Sequence, residues 1–197
     1  MHILYSIYGV RQGILVLEKL LFNIFNYKKL GNIVTVLGFP IIRKATTSKI
    51  NVGKNLKLVS NSYFSPPGVN HPVIIRTVNS KAEIRIGNDV GISGGAITAA
   101  YRILIGDNVM LGSNVVITDT DFHPIAPENR RYRTDDVKTA EVIIEDNVFI
   151  GMNSMILKGV HIGKNSVIGA GSVVTKDIPE NCIAVGNPAE VIRELVL

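Results

Sequence analysis

Tryptophan is absent, cysteine occurs once, and aromatic residues make up only 6% of the 197-residue chain. The lone Cys182 excludes an intrachain disulfide and suits a reducing compartment, so a cytoplasmic setting is expected. With no adjacent histidine and apolar Ile183 beside it, Cys182 reads as a buried structural thiol rather than a nucleophile. Few aromatics beside a hydrophobic share of 46% point to a narrow core filled with Ile and Val. No apolar run is long enough to span a membrane, because Glu18 and Lys19 interrupt the N-terminal one. Met1–Val10 lacks a basic start and a small-residue cleavage site, so no secretory signal is expected. The net charge of +5 suits a phosphate-bearing partner or an anionic membrane surface. The basic residues are scattered and form no groove-reading motif, so nucleic acid is not an expected partner.

What the chain does have is a six-residue period. From Ile144 to Pro179 it reads IEDNVF, IGMNSM, ILKGVH, IGKNSV, IGAGSV, VTKDIP without a slip. Each block opens on an aliphatic residue (Ile144, Ile150, Ile156, Ile162, Ile168, Val174), with Gly151, Gly163 and Gly169 recurring in second place. The fifth place is small or β-branched throughout. A period of six is neither a helix nor a simple alternating strand. It suits a solenoid whose three short strands make one triangular coil, with the opening aliphatic pointing inward and coils stable only when stacked. An α/β domain with a parallel sheet would need helical crossovers, and the blocks leave no room for them.

Tyr8–Leu30 carries an i, i+3, i+4, i+7 stripe of Leu17, Leu20, Leu21, Ile24 and Phe25, stopped by Gly31, and predicts an N-terminal helix. Its stripe would pack on protein, or its basic residues Arg11, Lys19, Lys28 and Lys29 would dock it on a membrane. Residues 1–44 are therefore read as a helix and a lead-in that could be a strand or a first irregular coil. Residues 45–180 are read as the solenoid, loose at first. Within it, Ser60–Pro72 is a turn-rich loop, one extra residue shifts the frame before Ile105, and an inserted loop occupies 118–142. Residues 181–197 form a tail in which Pro188 and the Val191, Ile192, Leu195 pattern predict a short C-terminal helix capping the last coil.

The inserted loop opens Thr118-Asp119-Thr120-Asp121-Phe122-His123-Pro124. An imidazole at a loop mouth with carboxylates two and four residues before it suits a general base. The repeats, this loop and the tail from Ile168 to Glu194 together resemble the hexapeptide-repeat acyltransferases, and most closely the sugar and polysaccharide O-acetyltransferases. That resemblance covers about Ile84 to Glu194. It implies an all-β solenoid, a left-handed parallel β-helix, here with the N-terminal and C-terminal helices added. It implies acetyl-CoA as acyl donor, a sugar or glycan acceptor and a homotrimer with acyl-CoA between subunits.

By the same resemblance His123 removes a proton from the acceptor hydroxyl, and either Asp119 or Asp121 orients its ring. Ala170 would lie beside the pantetheine arm, Thr175 and Lys176 near the nucleotide and Arg193 near phosphate; Gly151 and Met152 also belong to the cofactor side, Met152 standing where galactoside enzymes often have a polar contact. Glu190 departs from the family, standing where some relatives have a basic residue. On the acceptor side galactoside-type relatives place an asparagine in the coil where this chain has Ser93-Gly94-Gly95, which leaves Ser93 as a candidate contact, and His71, in Asn70-His71-Pro72, either lines the cleft or makes a turn. Arg130, Arg131 and Arg133 form a solvated basic face or a phosphate clamp. A carbonic anhydrase of this fold needs several histidines on one metal, and His71, His123 and His161 are far apart, so no metal is expected. The function expected is CoA-dependent O-acetylation of a sugar hydroxyl in surface-polysaccharide or lipid-linked glycan synthesis. The alternatives are an antibiotic or amino-sugar acyltransferase of the same fold, or a non-catalytic β-helix used for assembly.

Overall fold

A computed structural model describes residues 34–196. The helix expected over Tyr8–Leu30 lies outside the described residues. Strands β1 (Val34–Leu37), β2 (Ile41–Arg43) and β3 (Lys49–Val52) make the first turn of a three-sided prism. The second turn is β4 (Leu56–Val59), β5 (Ile74–Thr77) and β6 (Glu83–Ile86), and the third is β7 (Gly91–Ser93), β8 (Ala96–Ala99) and β9 (Arg102–Ile105). The fourth is β10 (Met110–Leu111), β11 (Val116–Thr118) and β12 (Val142–Ile144), and the fifth is β13 (Phe149–Ile150), β14 (Met155–Ile156) and β15 (His161–Ile162). The sixth is β16 (Val167–Ile168), β17 (Val173–Val174) and a parallel bridge from Ile178 to Ile162. A hairpin of β18 (Cys182–Gly186) and β19 (Ala189–Glu194) ends the stack.

Strands of successive turns pair in parallel and in register, giving one sheet per side of the prism. The first sheet runs β1-β4-β7-β10-β13-β16-β18-β19, the second β2-β5-β8-β11-β14-β17 and the third β3-β6-β9-β12-β15. This three-sided parallel arrangement is consistent with a left-handed β-helix.

The block-opening aliphatics Ile144, Ile150, Ile156, Ile162, Ile168 and Val174 are buried as expected, each burial worth roughly 1.5–3 kcal/mol. Second-place glycines sit where turns touch: a Cβ on Gly151 would lie 2.5 Å from Ala170 N, and one on Gly163 2.4 Å from Glu180 N. Fifth-place Ser154, Ser166 and Ser172 are buried with their hydroxyls donating to the Gly169, Pro179 and Gly169 carbonyls. The fourth place carries a signal of its own. Asn108, Asn114, Asn147, Asn153 and Asn165 all take left-handed φ near the corners, a conformation asparagine tolerates. Their amides also stack, Asn147 donating to Asn165 at 3.2 Å and Asn165 to Asn181 at 2.7 Å.

The C-terminal helix does not form; among the described residues the only helical segment is one 3-10 turn at Ser62–Phe64. Ala189–Glu194 is instead a strand antiparallel to β18, with Val191 opposite Ala184 and Arg193 opposite Ile183. Pro188 lies in the hairpin turn beside Gly186 at φ +107°, not in the first turn of a helix. A strand suits this position because β18 extends the first sheet and leaves unpaired backbone groups at its edge, which β19 takes up. Cys182 is buried on β18 as a free thiol.

Candidate functional site

The inserted loop leaves the prism at a corner that is already lengthened in the turn below. Ala96 to Leu104 is eight residues on, whereas Met155 to His161, which align with them through β11 and β12, is six. The longer corner exposes backbone N–H groups that no strand can satisfy, and Asp119 satisfies them. Fully buried, its carboxylate accepts from Ala100 N at 2.7 Å and Tyr101 N at 2.8 Å. Burial pushes the Asp119 carboxyl above the usual carboxylate range, against the pull of these backbone donors. The loop mouth is then closed by an antiparallel bridge between Thr120 and Thr139 and by Ala140 N donating to Asp119 O.

Asp121 is tied down as well, its Oδ1 lying 2.7 Å from Lys158 Nζ on the turn above. Neither carboxylate bonds the His123 ring: Asp119 is taken up by backbone donors, and Asp121 holds Lys158 through Oδ1 while its Oδ2 is buried without a partner. His123 itself is exposed and makes no hydrogen bond or ion pair among the described residues, so its ring is open to a substrate or another chain. Phe122 before it is half exposed and held at φ +62°, an uncommon conformation for a bulky residue. Buried Pro124 follows it. Of the loop arginines, Arg133 pairs with Asp135, Arg130 donates to backbone carbonyls and Arg131 lies over Tyr132.

A groove of about 600 Å³ runs along the outer face of the first sheet. It brings together four of the expected site residues: Ser93, Gly151, Met152 and Ala170. Its far wall is Phe64, Ser65, Pro66 and Pro67 from the Ser60–Pro72 loop. That loop is fixed to the prism corner by Ser65 Oγ against Ser113 Oγ at 2.9 Å, both buried, and by Asn70 N donating to Asn114 Oδ1 at 2.7 Å. Pro66-Pro67-Gly68 signals a turn in the sequence, but the reach of the loop over the sheet depends on partners over forty residues away.

Thr175 and Lys176 are exposed just past β17, and Arg193 is exposed on β19 at the end of the first sheet. His71 does not line the groove; its Nδ1 donates to the Pro72 carbonyl at 2.8 Å, the turn role. His161 is an exposed coil residue whose Nε2 lies 2.8 Å from Glu145 Oε1. His123, on the loop after β11 of the second sheet, does not line the groove of its own chain either.

The family of hexapeptide repeats described for succinyl-transferase matches residues 102–118 and 141–176. A galactoside O-acetyltransferase of Lactococcus lactis subsp. lactis is 50% identical over 93 residues, 47% of this chain and 44% of the relative. The chain thus matches less than half the length of this curated relative. A galactoside acetyltransferase solved in complex with coenzyme A shares 30% identity at a TM-score of 0.55, over 86% of this chain and 67% of that one. A maltose O-acetyltransferase from Clostridium difficile 630 shares 30% identity at a TM-score of 0.53, over 93% and 89%. Repeat, prism and these likenesses agree: the chain belongs to the hexapeptide-repeat acetyltransferases, related to the sugar O-acetyltransferases.

Proposed function

We propose that the protein transfers an acetyl group from acetyl-CoA to a sugar hydroxyl, on a surface-polysaccharide or lipid-linked glycan precursor, in the cytoplasm. The observation that carries this reading is the groove, which gathers Ser93, Gly151, Met152 and Ala170 and ends at β16, with only β18 between it and the strand bearing Arg193. Pantetheine would run along Ala170, Met152 and Gly151, with Thr175, Lys176 and Arg193 near the nucleotide and phosphates. His123 takes the proton of the acceptor hydroxyl, the oxygen attacks the thioester carbonyl, and the thiolate leaves and recovers a proton. No acyl-enzyme forms.

Because His123 lies outside the groove of its own chain, the reading places the site between copies in a homotrimer. Outward side chains support this. On the second sheet Ile41, Ile74, Ala96, Val116, Met155 and Val173 align in one apolar stripe across six turns. On the third sheet the aligned Lys49, Glu83 and Arg102 are charged, and Arg102 pairs with Glu141. An unbroken apolar stripe along one side suits a face covered by another copy. Rotation about an axis parallel to the prism keeps height, so a His123 from the fourth turn would meet the fourth turn of its neighbour, beside Met110 and Ser113. The experiment is CoA release from acetyl-CoA with free sugars, nucleotide sugars and lipid-linked glycans as acceptors. Turnover on one class supports the reading; no turnover together with no CoA binding would favour an assembly role.

A further inference from the structure

Among the described glycines Gly91 alone meets neither requirement that places glycine elsewhere in this fold. A Cβ at Gly53, Gly87, Gly106, Gly112, Gly151 or Gly163 would come within 2.8 Å of the next turn's backbone, and one at Gly38, Gly95 or Gly169 within 3.0 Å of another residue. Gly68, Gly94, Gly159, Gly171 and Gly186 take left-handed φ. At Gly91 a Cβ would meet nothing within 4 Å, and φ is outside the left-handed region. Glycine in a strand gives up side-chain packing and costs conformational entropy, so the fold gains nothing from it here.

The empty space opens on the groove. Gly91 lies between Lys57 and Met110 in the outward row of the first sheet, under the Phe64–Pro67 wall. Ser65 against Ser113 closes the prism corner at the fourth turn. A chain following the corner from Ala170 through Met152 is turned there onto the sheet face, where Gly91 leaves room. The nearby side chains of Met110, Phe64, Pro66 and Pro67 offer no hydrogen-bond donor and suit hydrocarbon, while the Lys57 ammonium can reach water at the rim. The acceptor hydroxyl must come from the side of His123, so the recess is left to the acyl group. We infer that this recess holds the acyl chain of the donor thioester, and that the site takes short acyl chains longer than acetyl. This rests on the CoA reading above.

The test is calorimetric binding of free CoA, acetyl-CoA, butyryl-CoA and hexanoyl-CoA to the full chain. A buried methylene is worth roughly fourfold in affinity, so butyryl-CoA, two methylenes longer, should bind about fifteenfold tighter than acetyl-CoA. In Gly91→Leu the gain from butyryl and hexanoyl chains should vanish, measured relative to free CoA. Met110→Ala, which widens the recess, should instead favour hexanoyl-CoA, and it serves if the leucine variant does not fold. Equal affinity of the wild type for all three thioesters would overturn the inference, as would an unchanged chain-length series in both variants. Loss of the oligomer in Gly91→Leu, by light scattering, would assign the space to a neighbouring copy and overturn it. Selective loss of affinity for a polyprenyl-phosphate sugar would give the recess to the acceptor, with the same result. No CoA binding at all would overturn the donor assignment itself.

Discussion

Lys158 Nζ and Asp121 Oδ1 lie 2.7 Å apart and join the mouth of the inserted loop to the turn above it. Asp121 bonds Lys158 and not the His123 ring, so any part it plays in placing His123 would run through the path of the loop. Asp121→Asn and Lys158→Met should each lower acetyl transfer by about tenfold to a hundredfold, the cost of a small misplacement of a catalytic group. The double variant should be little worse than either. Steady-state rates of the four proteins check this; a neutral Lys158→Met beside a damaged Asp121→Asn would show that the carboxylate serves the ring directly.

Glu145 accepts from His161 Nε2 and from Lys164 N, each at 2.8 Å, and the His161 bond is the main cause holding its carboxyl below the usual range. A carboxyl with a lowered folded-state pKa adds stability above its ordinary value and loses it as pH falls through the lowered one. Thermal unfolding between neutral pH and about pH 3 should therefore fall less steeply in Glu145→Gln than in the wild type. Parallel curves would mean that the contact contributes nothing to stability.

Gly163 should tolerate no side chain, because the Cβ would meet the backbone of Glu180 and Pro179 rather than a movable side chain. Gly163→Ala should cost about 1–3 kcal/mol in urea unfolding, the range for overpacking. Unchanged stability would show that successive turns can part locally.

The coil is legible in the sequence because each block position meets the same surroundings in every turn: Ile144, Ile150 and Ile162 face one core, and Gly151 and Gly163 face the next turn's backbone. The fourth-place asparagines are just as regular, but their role depends on φ, which composition does not display. At the C-terminus the local pattern misleads, because Val191, Ile192 and Leu195 fit a helical stripe in isolation. What decides that segment is the open edge of β18, a partner absent from any local pattern. Asp119 and Asp121 look equivalent beside His123 in the sequence. Their different fates are set by Ala100 and Tyr101 in the turn below and by Lys158 in the turn above. Gly91 stands in the sixth place of its block, where later blocks carry Phe149, Met155 and Val167, but the space above it shows only in the fold.

If a neighbouring copy supplies His123 to the groove, inactive variants should complement one another. His123→Ala and Ala170→Trp should each be inactive alone. Trimers assembled from equal amounts of both should recover about a quarter of wild-type activity, the share of interfaces that keep an intact groove and an intact histidine in a closed three-fold ring. No recovery in mixed trimers would place both groups in one subunit's site.

The most direct test of the central claim is the rate of acetyl transfer by His123→Ala, measured beside its affinity for CoA. General-base assistance is worth about 10²–10⁴ in rate, so transfer should fall at least about a hundredfold. CoA affinity should hold, because Gly151, Met152 and Ala170 belong to the prism and not to the inserted loop. A His123→Ala enzyme that acetylates at the wild-type rate would contradict the account.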